Sequence, residues 1–225
     1  MNSKAILDNT LHFFVRSLFF SALFWIGSCS AESSGTQAAA QGNASNDPSS
    51  ASTQHTITDE ILLETSMGQL KIGLYGDAAP VSVKNFKQYV ESGFYDGTIF
   101  HRVIGNFMIQ GGGMDANYAK KPTQPPIKNE ATNGISNATG TVAMARTGIV
   151  DSATSQFFIN VVDNVFLDHR DTSPQGYGYA VFGEVTEGME TVEKIRNVPT
   201  SRRGPHANAP AETVSIVKAS VVDPS

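Results

Sequence analysis

The chain has 225 residues, 16% of them charged, and its formal net charge at pH 7 is -5. This length suits one sizeable domain with additional segments, and a mildly acidic chain without a basic stripe argues against nucleic acid as a partner. Cys29 is the single cysteine, which excludes an intrachain disulfide framework and a cysteine-based metal site.

The first 28 residues have the pattern of a signal peptide rather than of folded structure. Lys4 and Arg16 precede an apolar stretch, residues 18–27, that is too short to span a bilayer. The stretch ends in IGSC, residues 26–29, which resembles the bacterial lipobox, whose cysteine receives a diacylglycerol and becomes the mature N-terminus. The pattern therefore predicts a lipoprotein-type signal peptide over residues 1–28, with lipid attached at Cys29.

The predicted location is the periplasm, with the lipid at Cys29 as the only membrane contact. Ser30 rather than aspartate follows the cysteine, which resembles the signal for the outer membrane. The alternative is an ordinary signal peptide cut near Ser30 or Ala31, which would leave a soluble periplasmic protein. Residues 29–55 are small and polar and predict a flexible tether, because they lack the apolar surface that offsets ordering entropy.

Short β-like runs begin after the tether, so residues 56–225 are predicted to form the folded domain. The apolar residues Leu70, Ile72 and Leu74 alternate with Lys71, Gly73 and Tyr75, which is the period of a half-buried strand. Seven further runs are separated by Gly, Pro, Asn and Asp and cover residues 61–65, 99–104, 108–111, 141–145, 156–161, 180–185 and 215–222. About eight such runs predict an all-β sandwich or barrel.

Two helices interrupt the strands. Pro80 opens a helix over residues 81–91, and Gly93 suits its C-terminal cap. A shorter helix covers residues 189–196, with Pro199 preventing its continuation. The eight strand-like runs and the two helices together predict a closed eight-stranded antiparallel β-barrel capped by two α-helices. A barrel of this size is only wide enough for its own side chains, so a functional site is expected on its outside.

The segment FHRVIGNFMIQGGG, residues 100–113, places Arg102 among apolar and amide side chains. Arginine keeps its proton near neutral pH, so it is a poor acid or base but a good source of fixed N–H donors. Donors of this kind stabilise charge or a lone pair that develops in a transition state. Rotation about the bond preceding a proline needs only such a donor beside an apolar pocket.

The turn between the two strands of this segment decides where Arg102 points. A two-residue loop would place it opposite Ile109, whereas a loop of residues 105–107 would place it opposite Gln110. Only the three-residue loop gathers Arg102, Met108 and Gln110 on one face. We therefore predict that loop, with Val103 and Ile109 pointing inward and His101 on their face as a hydrogen-bonded core histidine.

Five ordered motifs resemble those of the cyclophilin-type peptidyl-prolyl isomerases, and most of all the exported bacterial branch. They are FHRVIGNFMIQGGG (100–113), GTVAMART (140–147), SQFFINV (155–161), FLD (166–168) and YAVFGEV (179–185). The resemblance extends from about residue 61 to residue 222. It implies the cyclophilin fold and a peptidyl-prolyl cis-trans isomerase that acts on proline-containing polypeptides as a monomer, without metal or cofactor.

The resemblance also assigns site residues by position. Arg102 would be the catalytic residue that stabilises the twisted imide. Gln110 and Gln156 would hydrogen-bond the substrate backbone. The proline pocket would be lined by Phe107, Met108, Phe158 and Leu167. Ala145 and the main chain of Arg146 would align the peptide. Phe166 and Tyr179 would complete the rim.

Three of these positions differ from the commonest eukaryotic pattern. Phe166, Tyr179 and Arg146 occupy positions where many family members have tryptophan, histidine and asparagine. The first difference removes an indole N–H that helps to grip cyclosporin in the family. We therefore expect weak cyclosporin binding with isomerase activity retained.

Two alternatives come from other functional classes. A chaperone-like module would use the same groove to hold unfolded or proline-containing segments, with isomerisation incidental. A lipocalin-like carrier would hold its ligand inside the barrel and would need a hollow interior.

Overall fold

Ten strands and two α-helices succeed one another along residues 55–222, the part of the chain that this computed structural model describes. The strands are β1 (Asp59–Thr65), β2 (Gly68–Leu74), β3 (Arg102–Ile104), β4 (Met108–Gly111), β5 (Thr141–Met144), β6 (Phe157–Asn160), β7 (Val181–Glu187), β8 (Thr200–Arg203), β9 (His206–Pro210) and β10 (Ile216–Val222). The helices are α1 (Pro80–Glu91) and α2 (Met189–Arg196). The predicted signal peptide and Cys29 lie outside the described residues.

Eight strands form one curled antiparallel sheet in the order β10-β1-β2-β7-β5-β6-β4-β3, which confirms the all-β prediction and its strand number. The predicted closure is wrong, because β3 and β10 end the sheet without pairing as strands. β3 has three residues, and its ladder is with β4 on the side away from the seam. The chain before it reaches the β10 side through an isolated bridge from Ile99 to Ser215 and a 2.9 Å bond from Phe100 N–H to the Val214 carbonyl.

Aromatic side chains fill the space between the sheet and α1. The Phe86 ring of α1 contacts Tyr95, Phe157 and Phe182, with ring centroids 5.1, 5.3 and 5.1 Å away respectively. All four side chains are fully buried. They occupy the volume that a hollow carrier would need, so the lipocalin-like alternative finds no support in this core.

Two predicted signals and one contact from elsewhere in the chain lie at the ends of α1. Pro80 opens the helix, and Gly93 follows its last turn at a φ of 66°, as the sequence predicted. The first-turn N–H groups of Val81 and Ser82 donate to the Glu130 carboxylate at 3.0 and 2.8 Å. This contact from a distant loop satisfies groups that a helix cannot pair by itself.

A two-stranded sheet of β8 and β9 was not predicted. Every residue of β8 is exposed, so the alternation that reveals a half-buried strand is missing. β9 packs against β3, where the rings of His101 and His206 lie 6.2 Å apart.

His101 is buried under this hairpin, with only 4% of its surface exposed. The predicted burial is confirmed, but full hydrogen bonding is not, since Nδ1 has no partner among the described residues. Burial, together with the nearby charge of His206, lowers the pKa of His101 to about 4. The folded protein therefore holds this imidazole neutral where the unfolded chain would protonate it.

Replacing His101 by glutamine is expected to flatten the dependence of stability on pH. The unfolded chain binds more protons between the folded pKa of about 4 and the usual 6.5, so wild-type stability falls as the pH drops through this window. The expected loss from this group is about 3 kcal/mol. Urea unfolding at several pH values measures how the free energy of unfolding changes with pH. The same pH dependence in His101→Gln as in the wild type would assign this dependence to other groups.

Candidate active site

The β3–β4 hairpin brings the candidate catalytic arginine to the outer face of the sheet. Arg102 pairs with Gln110 and Ile104 with Met108, so the loop is the predicted one of residues 105–107. The turn is closed by a 2.9 Å bond from the Phe107 N–H to the Ile104 carbonyl. This register confirms the predicted turn.

The opposite face of the same hairpin points into the core. Val103 and Ile109 are 1% and 0% exposed, as predicted. The hairpin therefore separates a packed interior from a functional surface by side-chain alternation alone.

A cavity of about 290 Å³ opens on this outer face. The residues lining it all belong to the set that the sequence proposed for the site: Arg102, Phe107, Met108, Gln110, Ala145, Arg146, Phe158, Leu167 and Tyr179. None of these side chains is a serine, a cysteine, a histidine or a carboxylate. The cavity can therefore hold an apolar group and present N–H donors, but its lining offers no nucleophile of the Ser or Cys type.

The floor of the cavity is apolar and well packed. Met108 and Phe158 are 2% and 4% exposed and belong to a buried cluster that is separate from the main core. Phe158 meets Tyr179 edge-on, with ring centroids 5.7 Å apart. Leu167 and Ala145 pack against this cluster from the sides. The result is a preformed slot whose walls support one another.

Amide side chains form a polar edge beside the slot. Arg102 Nη1 donates to Gln110 Oε1 at 3.3 Å, and Gln110 Nε2 donates to Gln156 Oε1 at 3.0 Å. Gln156 lies behind Gln110 rather than on the cavity wall. It fits there because residue 113 is glycine: a Cβ at Gly113 would lie 2.4 Å from the Gln156 side chain.

Arg102 keeps its positive charge available to the cavity. The ion pairs within residues 55–222 join other residues, and none involves Arg102. Its guanidinium carbon lies 5.8 Å from the centroid of the Phe107 ring. An arginine held by an amide and an aromatic ring, rather than by a carboxylate, retains donors for an incoming group.

Phe166 lies at the rim and not on the wall. Its side chain is 59% exposed, and its ring stacks on Phe107 with centroids 5.6 Å apart and an interplanar angle of 24°. The contact extends the apolar surface out of the slot.

Arg146 anchors the loop that precedes Tyr179. Its Nε and Nη2 donate to the carbonyls of Gly178 and Pro174, at 2.9 and 2.8 Å. Its guanidinium carbon also lies 4.8 Å from the centroid of the Tyr179 ring. The sequence analysis assigned only the main chain of Arg146 to the site, so this side-chain role was missed.

A buried polar network behind the slot was also missed. Asn164 Nδ2 donates to the Phe107 carbonyl and to Asn160 Oδ1, both at 2.8 Å. The Asp168 carboxylate accepts from the Asn137 N–H at 2.7 Å. These bonds tie the Phe107 turn to the segment that carries Phe166 and Leu167. Asparagine or aspartate at every fourth residue from 160 to 168 is a sequence signal that could have revealed it.

The described part of the chain holds neither a metal-binding cluster nor a membrane-spanning helix. Within residues 55–222, no cluster of three or more His, Cys, Asp or Glu side chains could hold a metal ion. No helix in the same range is long and apolar enough to cross a bilayer.

Known proteins with this fold and these motifs identify the class. Residues 60–221 match the family model described as "Cyclophilin type peptidyl-prolyl cis-trans isomerase/CLD". The chain is 56% identical over 168 residues to "Peptidyl-prolyl cis-trans isomerase" of Acinetobacter baylyi, covering 74% of this chain and 88% of the relative. It is 53% identical over 167 residues to "Peptidyl-prolyl cis-trans isomerase A" of Dickeya dadantii, covering 74% and 86%.

A solved structure supports the same conclusion. The cyclophilin type peptidyl-prolyl cis-trans isomerase of Cryptosporidium parvum, crystallised in the presence of the dipeptide Ala-Pro, superposes with a TM-score of 0.60 at 26% identity, over 74% of this chain and 99% of that one. The chain therefore belongs to the cyclophilin-type peptidyl-prolyl cis-trans isomerases. This confirms the predicted family and the predicted enzyme class.

Proposed function

We propose that the protein accelerates rotation about Xaa-Pro bonds in exported polypeptides without forming a covalent intermediate. The observation that carries this mechanism is the position of Arg102, at the edge of an apolar slot and without a carboxylate partner among the described residues. The slot receives the proline ring, and the guanidinium meets the imide nitrogen.

The chemistry of the prolyl bond explains why one arginine suffices. Resonance in the amide leaves a rotation barrier of roughly 18–20 kcal/mol. At a ninety-degree twist the nitrogen lone pair is uncoupled from the carbonyl, and the nitrogen becomes pyramidal and basic. An N–H of Arg102 aimed at that lone pair stabilises the transition state more than either planar state, which lowers the barrier.

The apolar slot makes this hydrogen bond stronger. Met108, Phe158 and Leu167 surround the proline ring and exclude water, so the donor acts at a lower effective dielectric than in solution. Crystallisation of the Cryptosporidium parvum relative in the presence of Ala-Pro supports a proline-sized occupant for a slot of this fold.

The substrate backbone is aligned by groups along the groove. Gln110 supplies amide donors and acceptors beside Arg102, and Gln156, which does not line the cavity, orients the Gln110 amide by accepting from it. The Ala145 N–H already donates to the Gln156 carbonyl at 2.9 Å, so we assign peptide alignment to the rest of Ala145 and to the main chain of Arg146. Phe166 and Tyr179 complete the rim.

The cellular setting is part of the proposal. The signal-like N-terminus and the lipobox-like residues 26–29 support export to the periplasm with a lipid on Cys29. Clients would then be exported polypeptides that meet the enzyme as unfolded chains. We expect it to act there as a monomer.

Changing Arg102 to alanine tests the mechanism. We expect kcat/KM for a prolyl tetrapeptide to fall by about 10²–10³-fold, as when one preorganised donor is removed, while peptide affinity changes little. Arg102→Lys should also lose most activity, because an ammonium lacks the planar fork of N–H donors. A protease-coupled isomerisation assay and peptide titration provide the two readouts.

The matched control is Arg202→Ala, because Arg202 lies on exposed β8. It should retain wild-type kcat/KM. Full activity in Arg102→Ala would refute the catalytic role of this guanidinium. Aggregation of an unfolded client supplies a separate readout: suppression that survives Arg102→Ala would support the chaperone-like function beside the isomerase.

Cyclosporin is expected to bind weakly. Phe166 offers an exposed ring without the indole N–H that many family members present at this position. Phe166→Trp restores that donor and should tighten binding about two- to tenfold, the usual contribution of one hydrogen bond. Inhibition titrations with cyclosporin measure its affinity for the unaltered protein and for Phe166→Trp. Nanomolar inhibition of the unaltered protein would contradict the expected weak binding.

Lipidation of Cys29 is tested on the full chain expressed in a bacterial host. The membrane-extracted protein should carry the mass of the acylated N-terminal cysteine, and Cys29→Ala should move the protein to the soluble periplasmic fraction. An unmodified mature N-terminus at Ser30 or Ala31 would instead establish the ordinary signal peptide.

A further inference from the structure

A second cavity, of about 520 Å³, lies beside the proline slot. The two cavities share Arg146, Leu167 and Tyr179 in their walls, so they are adjacent. Phe166 lines only the second. A polypeptide with its proline in the slot can therefore place a neighbouring side chain in the second cavity.

The outer wall of the second cavity is held by its own hydrogen bonds. The Arg170 N–H donates to the Gly176 carbonyl and the Tyr177 N–H to the Ser173 carbonyl, both at 2.8 Å. Arg146 fastens the same loop through the Pro174 carbonyl. A wall built in this way exists before any ligand arrives, which lowers the ordering cost of binding.

The charge of this region is opposite to that of the whole protein. Arg102 and Arg146 line the slot, and Arg146 and Arg170 line the second cavity. No aspartate or glutamate lines either cavity, although the chain carries a net charge of -5. The joined groove is thus a positive surface on an acidic protein.

Asp168 and Asp171 are neighbours of the lining residues along the chain, and both accept hydrogen bonds from other residues. Asp171 follows Arg170 and feels its charge, but it accepts hydrogen bonds from the backbone and side chain of Ser173 within the loop. Asp168 accepts from Ser136 and Asn137 behind the slot. Neither carboxylate forms an ion pair with Arg146 or Arg170 within residues 55–222.

We propose that the second cavity binds an acidic side chain, aspartate or glutamate, located next to the proline in the substrate sequence. Arg170 supplies an exposed positive charge. Arg146 supplies a second positive charge and also fixes the position of the wall. This specificity rests on the proposed function, because the proline must occupy the slot.

The test compares prolyl peptides of equal length that carry Glu, Gln or Lys at each position flanking the proline. At low salt, the best-placed Glu peptide should have a kcat/KM at least about threefold above its Gln counterpart, as expected for a partly exposed ion pair. The Lys peptide should fall below the Gln peptide. At 1 M salt, where the Debye length is about 3 Å, the Glu-to-Gln ratio should approach one.

Matched variants assign the preference to the second cavity. Arg170→Gln should reduce the Glu-to-Gln ratio at least twofold, whereas Arg170→Lys should retain most of it. Arg202→Gln removes one exposed arginine from β8 and should leave the ratio unchanged. The ratio is taken within each protein, so differences in overall activity cancel.

The outcomes separate the two proposals. A ratio of one in the unaltered enzyme, with normal turnover of the Gln peptide, would overturn the acidic-residue specificity and leave the isomerase mechanism intact. A high ratio that persists in Arg170→Gln would overturn the assignment to this cavity. Failure to isomerise any of the peptides would refute the proposed function itself.

Discussion

The register of the β3–β4 hairpin is the constraint on which the site depends. Side chains of a strand alternate between faces, so the three-residue turn that pairs Arg102 with Gln110 also turns Val103 and Ile109 into the core. A shift by one residue would bury the guanidinium and expose the apolar pair. The same geometric fact therefore stabilises the hairpin and presents the donor that we propose to be catalytic.

The interior and the groove share two central strands. In β5, Val142 faces the main core while Ala143 faces the cluster under the slot, and in β6 Ile159 and Phe158 divide in the same way. Both strands are buried throughout, so the slot proposed to bind substrate lies on strands that are as firmly packed as the core. Preorganisation of this kind lets a single hydrogen-bond donor contribute fully to catalysis.

Much of the fold and most of the slot could be predicted from local patterns. The alternation of Leu70, Ile72 and Leu74 predicted a strand, and Pro80 predicted the start of a helix. Both predictions were possible because each signal lies within a few residues of the structure that it indicates. Closure of the barrel could not be judged in that way. Closure depends on whether distant segments meet as a ladder, and β3 and β10, at the two ends of the sheet, do not pair with each other.

By itself, then, the sequence determined the eight strands of the main sheet, the two α-helices, the turn of the hairpin and the residue types around the slot, since these follow from periodicity and motif order. Only the tertiary structure decided that Arg146 fastens the loop before Tyr179, that Asn164 supports the Phe107 turn, and that Arg170 joins a positive groove. Such contacts join residues far apart in the chain. Their geometry is set by packing of the whole domain, so even a local signal such as the Asn and Asp side chains at residues 160, 164 and 168 does not identify the distant partner.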